Sequence, residues 1–384
     1  MTVFGTRPEA IKMAPVITAL TESTDLSVSP VVTGQHREML DQVNRAFGIV
    51  PVDDLAVFEP GIGLNRLTEK TLAALTPILR ERRPDAVMVQ GDTTSALAAG
   101  LAAFNEQIPV IHLEAGLRTD SIASPFPEEG NRRLLSQISA LHLAPTPAAR
   151  ENLLRSGIPA ADIAVTGNTV IDALHVTVAR DVPFVDPRLV PVADDARRIV
   201  LVTSHRRESW GAPMARTAAA LATLARQRDD VLFVFPLHAN PAVREIFEPV
   251  LAPFSNVLLT ESLTYTDLCR VLARCTLVVS DSGGLQEEAP ALGKPVLVLR
   301  DDTERPEAIA AGTAILVGTD PDEIILNTNR LLDDPTVYAT MANARNPFGD
   351  GRAAERSVAA VRSFFGRGQR IADFLPTDHS GDPA

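Results

Sequence analysis

The stretch from Thr276 to Leu299 constrains the fold more than any other part of the chain: Thr-Leu-Val-Val-Ser-Asp-Ser-Gly-Gly-Leu-Gln-Glu-Glu-Ala-Pro-Ala-Leu-Gly-Lys-Pro-Val-Leu-Val-Leu. It reads as an apolar β-rich run, a turn holding Gly283 and Gly284, a short helix closed by Gly293, and a second apolar run. Two strands joined through a helix lie parallel. The pattern recurs along the chain. Val31–Thr33, Ala86–Val89, Val110–Leu113 and Ala164–Thr166 read as strands in the first half, and Ile199–Thr203, Val231–Phe235, Leu277–Ser280 and Val296–Leu299 in the second. Between them, apolar residues such as Leu72, Leu75 and Leu79 recur at helical spacing. Alternation of this kind predicts an α/β protein with parallel sheets covered on both faces.

At 384 residues the chain exceeds one core and predicts two doubly wound domains. We place the hinge near Gly167–Asp172, giving a first domain over 1–169 and a second over 170–352. A helix at about 353–366 is expected to cross back to the first domain, and a tail over 367–384 to be poorly ordered. The proline-rich segment Asp181–Arg198 reads as a surface loop.

Apolar residues at 45% with 22% charged describe a globular chain. A formal charge of −12 argues against nucleic acid as a main partner. Cys269 and Cys275 lack a companion at metal-ligand spacing, so neither a disulfide framework nor a metal is expected. No apolar run reaches membrane-spanning length, and Arg7, Glu9 and Lys12 stand where a signal peptide needs an apolar core. The expectation is a cytoplasmic protein with no membrane partner.

In open parallel sheets ligands bind beyond the carboxyl ends of the strands, so the polar residues that follow strands carry the chemistry. Gly283 and Gly284 lack the Cβ atoms that would keep an anion from the amides of a helix N-terminus, and Glu288, one turn on, is placed to take ribose hydroxyls. An ordinary crossover turn accounts for the same glycines. Val3-Phe4 leads into Thr6 and Glu9 at capping-box spacing, with Arg7 beside the exposed amides and Lys12 beyond. That describes either a cation pair for a diphosphate or a capped helix with a solvated arginine.

Asp92 follows the next strand and would serve equally well as a helix cap. Glu114 ends the strand after that, beside Gly116, where a bridge to Arg118 is the plainer explanation. Glu128 and Glu129 lie in a proline-stiffened charged loop of a kind that is usually solvated. In the second half His205 and His238 each follow a strand at the same sheet edge as the Ser282-Gly283-Gly284 turn. A lone histidine there is more often structural, but two beside a glycine turn shift the balance.

Gly61-Ile-Gly63 is the one dinucleotide-like signature, and it continues to Arg66 where a glycine is required, so NAD binding is rejected. A Walker motif is missing, as is an Asp-x-Asp at a strand end. A diphosphate site without a metal then falls to Arg, Lys and helix termini.

As an ordered set, several motifs resemble one family, the non-hydrolysing UDP-N-acetylglucosamine 2-epimerases. They are Gly5-Thr-Arg-Pro-Glu-Ala-Ile-Lys12, Gln35-His-Arg-Glu-Met39, Gly91-Asp-Thr-Thr94, His112-Leu-Glu-Ala-Gly-Leu-Arg118, Pro127-Glu-Glu-Gly-Asn-Arg132, Gly167-Asn-Thr-Val-Ile-Asp172, His205-Arg-Arg-Glu208, Ser280-Asp-Ser-Gly-Gly-Leu-Gln-Glu-Glu288 and Thr303-Glu-Arg-Pro-Glu307. The resemblance runs to about Phe365. It implies two Rossmann-like domains in the glycosyltransferase-B arrangement with the active site in the interdomain cleft, a homodimer, and interconversion of UDP-GlcNAc and UDP-ManNAc without a cofactor, supplying surface polysaccharide.

Carried over residue by residue, the resemblance makes Asp92, Glu114, Glu128 and His205 catalytic. It makes Arg7, Lys12, Arg206, His238, Ser282, Gly283, Gly284, Glu288 and Arg305 substrate-binding. This chain departs from the family in places. Four residues precede Gly5, fewer than the family's first strand, which points to a clipped strand or an internal start. Asp302 stands for a usual Thr, and Leu263 and Leu268 replace residues that often frame the uracil. Gln35-His36 matches part of the activator site that some members have for a second UDP-GlcNAc, whereas Ile62 stands where that site has an arginine. A glycosyltransferase of the same architecture, a hydrolysing epimerase and a non-catalytic nucleotide-sugar sensor are the competing readings. The retained carboxylates disfavour the sensor.

Overall fold

The computed structural model describes residues 1–34, 37–59, 61–206 and 209–376. Gln35 and His36 of the expected activator site, Arg207 and Glu208 of the His205 motif, and the end of the tail lie outside them. The chain divides into two compact units, Met1–His175 with Phe348–Thr377, and Val176–Pro347.

In the first unit the order is β1 (Thr2–Phe4), α1 (Arg7–Thr21), β2 (Pro30–Val32), α2 (Arg37–Phe47), β3 (Asp53–Asp54), α3 (Leu64–Arg82), β4 (Val87–Gln90), α4 (Thr94–Asn105), β5 (Val110–Leu113), α5 (Glu128–Ile138), β6 (Leu141–Ala144), α6 (Pro147–Arg155) and β7 (Ile163–Val165). Then α7 (Thr169–Ala179) runs across the division. Among the described residues the strands form a seven-stranded sheet in the order β3-β2-β1-β4-β5-β6-β7, parallel at every pairing. The strands β4, β5 and β6 are buried along their whole length, as a sheet covered on both faces requires. Leu75, Leu79, Val87, Val89, Ala99 and Leu135 share one core.

The second unit follows with β8 (Arg198–Thr203), α8 (Ala212–Gln227), β9 (Val231–Pro236), α9 (Pro241–Leu251), β10 (Val257–Thr260), α10 (Tyr265–Arg274), β11 (Leu277–Ser280), α11 (Gly283–Ala291), β12 (Val296–Val298), α12 (Pro306–Ala310), β13 (Ala314–Leu316), α13 (Pro321–Asp333) and α14 (Pro335–Ala342). Among the described residues its strands form a six-stranded sheet in the order β10-β9-β8-β11-β12-β13, again parallel throughout. Val200, Val202, Phe233, Phe235, Leu277 and Val279 fill its core. Finally α15 (Ala353–Phe364) belongs to the first unit, where both carboxylate oxygens of Asp172 accept from the amides of Ala353 and Ala354 at its first turn.

In each sheet the order of strands reverses at one place, between β1 and β4 in the first unit and between β8 and β11 in the second. Helices leave to opposite faces there, so the loops beyond the strand ends part and open a crevice.

Two expectations are corrected. The tail is ordered at its start: Phe374 is buried, its amide donates to Val165 O at 2.8 Å, and Asp373 accepts from Val165 N at 3.1 Å. The segment Asp181–Arg198 is more than a surface loop. It holds a 3-10 turn over Pro187–Ala193 that buries Leu189 and Val192, and the Asp267 carboxylate accepts from the amides of Val185 and Asp186.

Candidate functional site

In the first unit the loops after β1, β4 and β5 converge on carboxylates. Thr6 caps α1, and the reciprocal bond from its amide to Glu9 completes the capping box, with Arg7 on the first turn. Lys12, one turn further, lies 2.5 Å from Glu114. The side-chain Nε2 of Gln90, the last residue of β4, donates to the same Glu114 oxygen at 2.5 Å. Arg118 turns elsewhere, to the Leu117 carbonyl and the Ser136 hydroxyl, so the simple bridge between Glu114 and Arg118 is not the arrangement found. Glu114 also holds φ at 63°, a left-handed conformation costly for a residue with a Cβ and a mark of constrained functional positions. Gly116 answers a different need: a Cβ there would stand 2.3 Å from the Ala149 carbonyl.

Asp92 does not cap α4. Thr93 does, accepting from Ala96 N at 3.0 Å, which releases the Asp92 carboxylate for Arg132 Nε at 2.8 Å. Asn131 donates to the Asp92 carbonyl, and His112 Nε2 to the neighbouring Gly91 carbonyl at 2.7 Å. Burial depresses the His112 pKa to about 4, so this ring is neutral. Arg132 is in turn gripped by Glu129, which also takes Arg133 and the Thr119 amide and is wholly buried. Burial opposes the charge on Arg132, but Asp92 and Glu129 together outweigh it and raise its pKa. Glu128 and Glu129, expected in a loop, stand instead in the first turn of α5; Glu129 is structural there, while Glu128 heads the helix half-buried.

The second unit gathers cations and histidines. Asp281, fully buried just after β11, accepts from the backbone amides of His205 and Arg206 at 2.7 and 2.9 Å, and its other oxygen lies 3.1 Å from His205 Nδ1. Burial resists ionisation of Asp281, and these bonds overcome it, so its pKa falls below the ordinary carboxylate range. The His205 and His238 rings stack with centroids 5.8 Å apart. Burial and then the neighbouring His205 lower the pKa of His238.

Arg206 and Arg305 each bind Glu304, at 3.0 and 2.8 Å, and Arg300 joins them. Burial works against the Glu304 charge, yet Arg305 and Arg206 hold its pKa down at about 2. Arg305 is fixed again by Glu287 at 2.8 Å. Its guanidinium lies on Gly283, where a Cβ would meet Nη1 at 2.8 Å and Cζ at 2.9 Å. Gly283 is thus needed for the close approach of an arginine to the first turn of α11. Ser282 occupies the N-cap without a side-chain bond to the helix, and Glu288 is buried one turn along, beside the phenol of Tyr265.

The structure therefore joins Lys12 to Glu114 in one unit, and His205, Arg206, His238, Gly283 and Arg305 in the other. Sequence reasoning left Gln90, Arg132 and Asp281 out of the site. Gln90 and Asp281 are polar residues at strand ends, the signal already used for their neighbours. Among the described residues no group of three His, Cys, Asp or Glu is placed to hold a metal ion, and no helix is long and apolar enough to cross a membrane.

Comparison with known proteins agrees with this geometry. The family model for UDP-N-acetylglucosamine 2-epimerase matches residues 18–362. A probable UDP-N-acetylglucosamine 2-epimerase of Ralstonia nicotianae is 49% identical over 370 residues, covering 95% of this chain and 99% of the relative. The UDP-N-acetylglucosamine 2-epimerase of Escherichia coli K12 is 46% identical over 376 residues, covering 94% and 98%. Among solved structures, the UDP-GlcNAc 2-epimerase of Neisseria meningitidis bound to UDP-GlcNAc has a TM-score of 0.88 at 45% identity, covering 94% of this chain and 99% of that one. The glycosyltransferase SnogD of Streptomyces nogalater, at 19% identity, a TM-score of 0.63 and coverage of 94% and 98%, shares the fold alone. With a family model spanning most of its length and relatives near half identical, the chain belongs to the UDP-N-acetylglucosamine 2-epimerase family.

Proposed function

We propose that this enzyme interconverts UDP-GlcNAc and UDP-ManNAc by eliminating UDP and adding it back with inversion at C2. The observation that carries the reading is the pair of fixed carboxylates beyond β4 and β5, Asp92 on Arg132 and Glu114 on Lys12 and Gln90, in a chain of this family. The C2–H of an N-acetylhexosamine is not acidic on its own. It becomes removable as the C1–O bond breaks, because positive character at C1 acidifies the neighbouring carbon. The proton passes to a carboxylate, the C2–H pair forms the C1–C2 double bond, and the C1–O pair leaves on UDP. In the return step UDP oxygen adds to C1 while a second group delivers a proton to the opposite face of C2.

In this reading Asp92 and Glu128 transfer the two protons, and Glu114 orients the sugar. His205 and Arg206 assist the departing diphosphate. Arg305, Ser282, Gly283 and Gly284 hold the phosphates, Glu288 takes the ribose hydroxyls, and His238, Arg7 and Lys12 complete the contacts. Two of the first-unit carboxylates that would otherwise repel a diphosphate are paired with cations, Asp92 with Arg132 and Glu114 with Lys12. The same reading takes the enzyme as a cytoplasmic homodimer that supplies surface polysaccharide. Exposed Phe104 on α4 and Leu134 on α5 offer apolar surface for a second copy.

Incubation with UDP-GlcNAc alone, without NAD or a divalent cation, tests the reaction by chromatography. UDP-ManNAc should appear and reach a fixed ratio with its precursor. Release of free ManNAc would instead make the enzyme a hydrolase, and unchanged UDP-GlcNAc would end the proposal.

A further inference from the structure

Glu9 is a buried carboxylate that the reaction above does not use. It is 1% exposed, and three donors converge on it. Gly5 N and Thr6 N reach Oε2 at 2.8 and 2.7 Å, and the Thr93 hydroxyl reaches Oε1 at 2.5 Å from 84 residues away. The Thr93 oxygen accepts from Ala96 N, so its single proton is available to Glu9.

A capping box asks of the Glu9 side chain only the bond from the Thr6 amide. The bond to Thr93 is additional, and it spans the place where the strand order reverses, joining the loop after β1 to the loop after β4. Arg7 follows the first of these loops directly, and Asp92 precedes Thr93 in the second. The other unit is built alike: Asp281, after β11, ties down the backbone of His205 and Arg206 after β8, across the reversal in that sheet.

From this geometry we propose that Glu9 is a positioning residue, which locks the Arg7 turn to the Asp92 turn and so fixes the proton-transfer carboxylate relative to the diphosphate cations. The inference rests on the roles proposed above for Asp92 and Arg7. Its physical basis is that a group displaced by about 1 Å can lose on the order of 10²-fold in rate without losing its chemistry.

The test uses the full-length enzyme with T93V, T93S, E9Q and D92N, reading kcat, KM and melting temperature. T93V deletes the bridging hydroxyl and should lower kcat by roughly tenfold or more, within the scale of such misplacement, with KM moving far less. T93S keeps the hydroxyl and should restore most of the rate. E9Q retains an oxygen for the two backbone amides but exchanges the charge-assisted bond from Thr93 for a neutral one that Thr93 accepts, so it should lower kcat in the same direction, by less than T93V, even if T93V does not fold. In the D92N background T93V and E9Q should cost nothing further, because the group they position is already gone. Wild-type kcat in both T93V and E9Q beside a slow D92N would overturn the Glu9 link while leaving the reaction intact. So would a loss that T93S does not restore, or one that persists in full in D92N. A D92N enzyme of wild-type rate would instead remove the role of Asp92, and the positioning with it.

Discussion

Asp281 accepts from the His205 backbone amide at 2.7 Å and stands 3.1 Å from the ring Nδ1, while staying wholly buried. A carboxylate beside Nδ1 constrains which way the ring faces. The same residue that orients the ring thus also fixes the loop that carries it. D281A should therefore act on both stability and turnover. Amides of His205 and Arg206 left without their acceptor should cost about 2 kcal/mol in a chemical melt. Turnover should fall by roughly 10²-fold, the scale of a lost acid–base group. D281A with normal turnover would mean that His205 has no part in UDP departure.

Substitution of Gly283 tests the nucleotide side. A Cβ at 2.8–2.9 Å from the Arg305 guanidinium must push it away, and Arg305 is clamped by Glu287 and Glu304. G283A should fold, since Gly283 lies in a helix, yet bind UDP at least about tenfold more weakly, as expected for one charge-assisted bond lost. Calorimetry with UDP reads this directly. Unchanged affinity would make the Gly283-Gly284 turn purely structural.

His112 provides a test by pH. Burial lowers its pKa from 6.5 to about 4, so between these values the unfolded chain binds more protons than the folded one. Stability must then rise with pH across that window. It is intact above about 6.5 and progressively lost as the pH falls toward 4, by on the order of 3 kcal/mol in full. H112N, which cannot titrate, should show a shallower dependence of urea unfolding on pH between 4.5 and 7. An identical slope in both proteins would remove His112 as the source.

Much of the fold is legible because parallel strands buried on both faces appear as short apolar runs, and Val110–Leu113 and Leu277–Ser280 were bounded as the structure has them. The edge strands β3 and β13 have only two and three residues, and periodicity does not mark them out. The candidate site residues are picked out by their position after strands, which local sequence shows. What pairs with them is not, because those contacts join distant loops. Thr6 and Glu9 explain each other so fully as a capping box that nothing in the sequence points from Glu9 to Thr93. Asp92 looks like a helix cap until Thr93 is seen to take that place. The tail after Gly366 is polar enough to suggest disorder, and Phe374, the one buried residue among its described positions, has no periodic partners to announce it.

The most direct test of the central claim follows the hydrogen at C2. With UDP-GlcNAc in D2O and neither NAD nor a divalent cation, the wild-type enzyme should form UDP-ManNAc carrying deuterium at C2, because the returning proton comes from a different group than the one that took the first. D92N and E128Q should each slow this by at least about 10²-fold while UDP still binds. Deuterium at C2 with slow D92N and E128Q is the result the account predicts. UDP-ManNAc that kept its original C2 hydrogen, or whose formation required NAD, would contradict it.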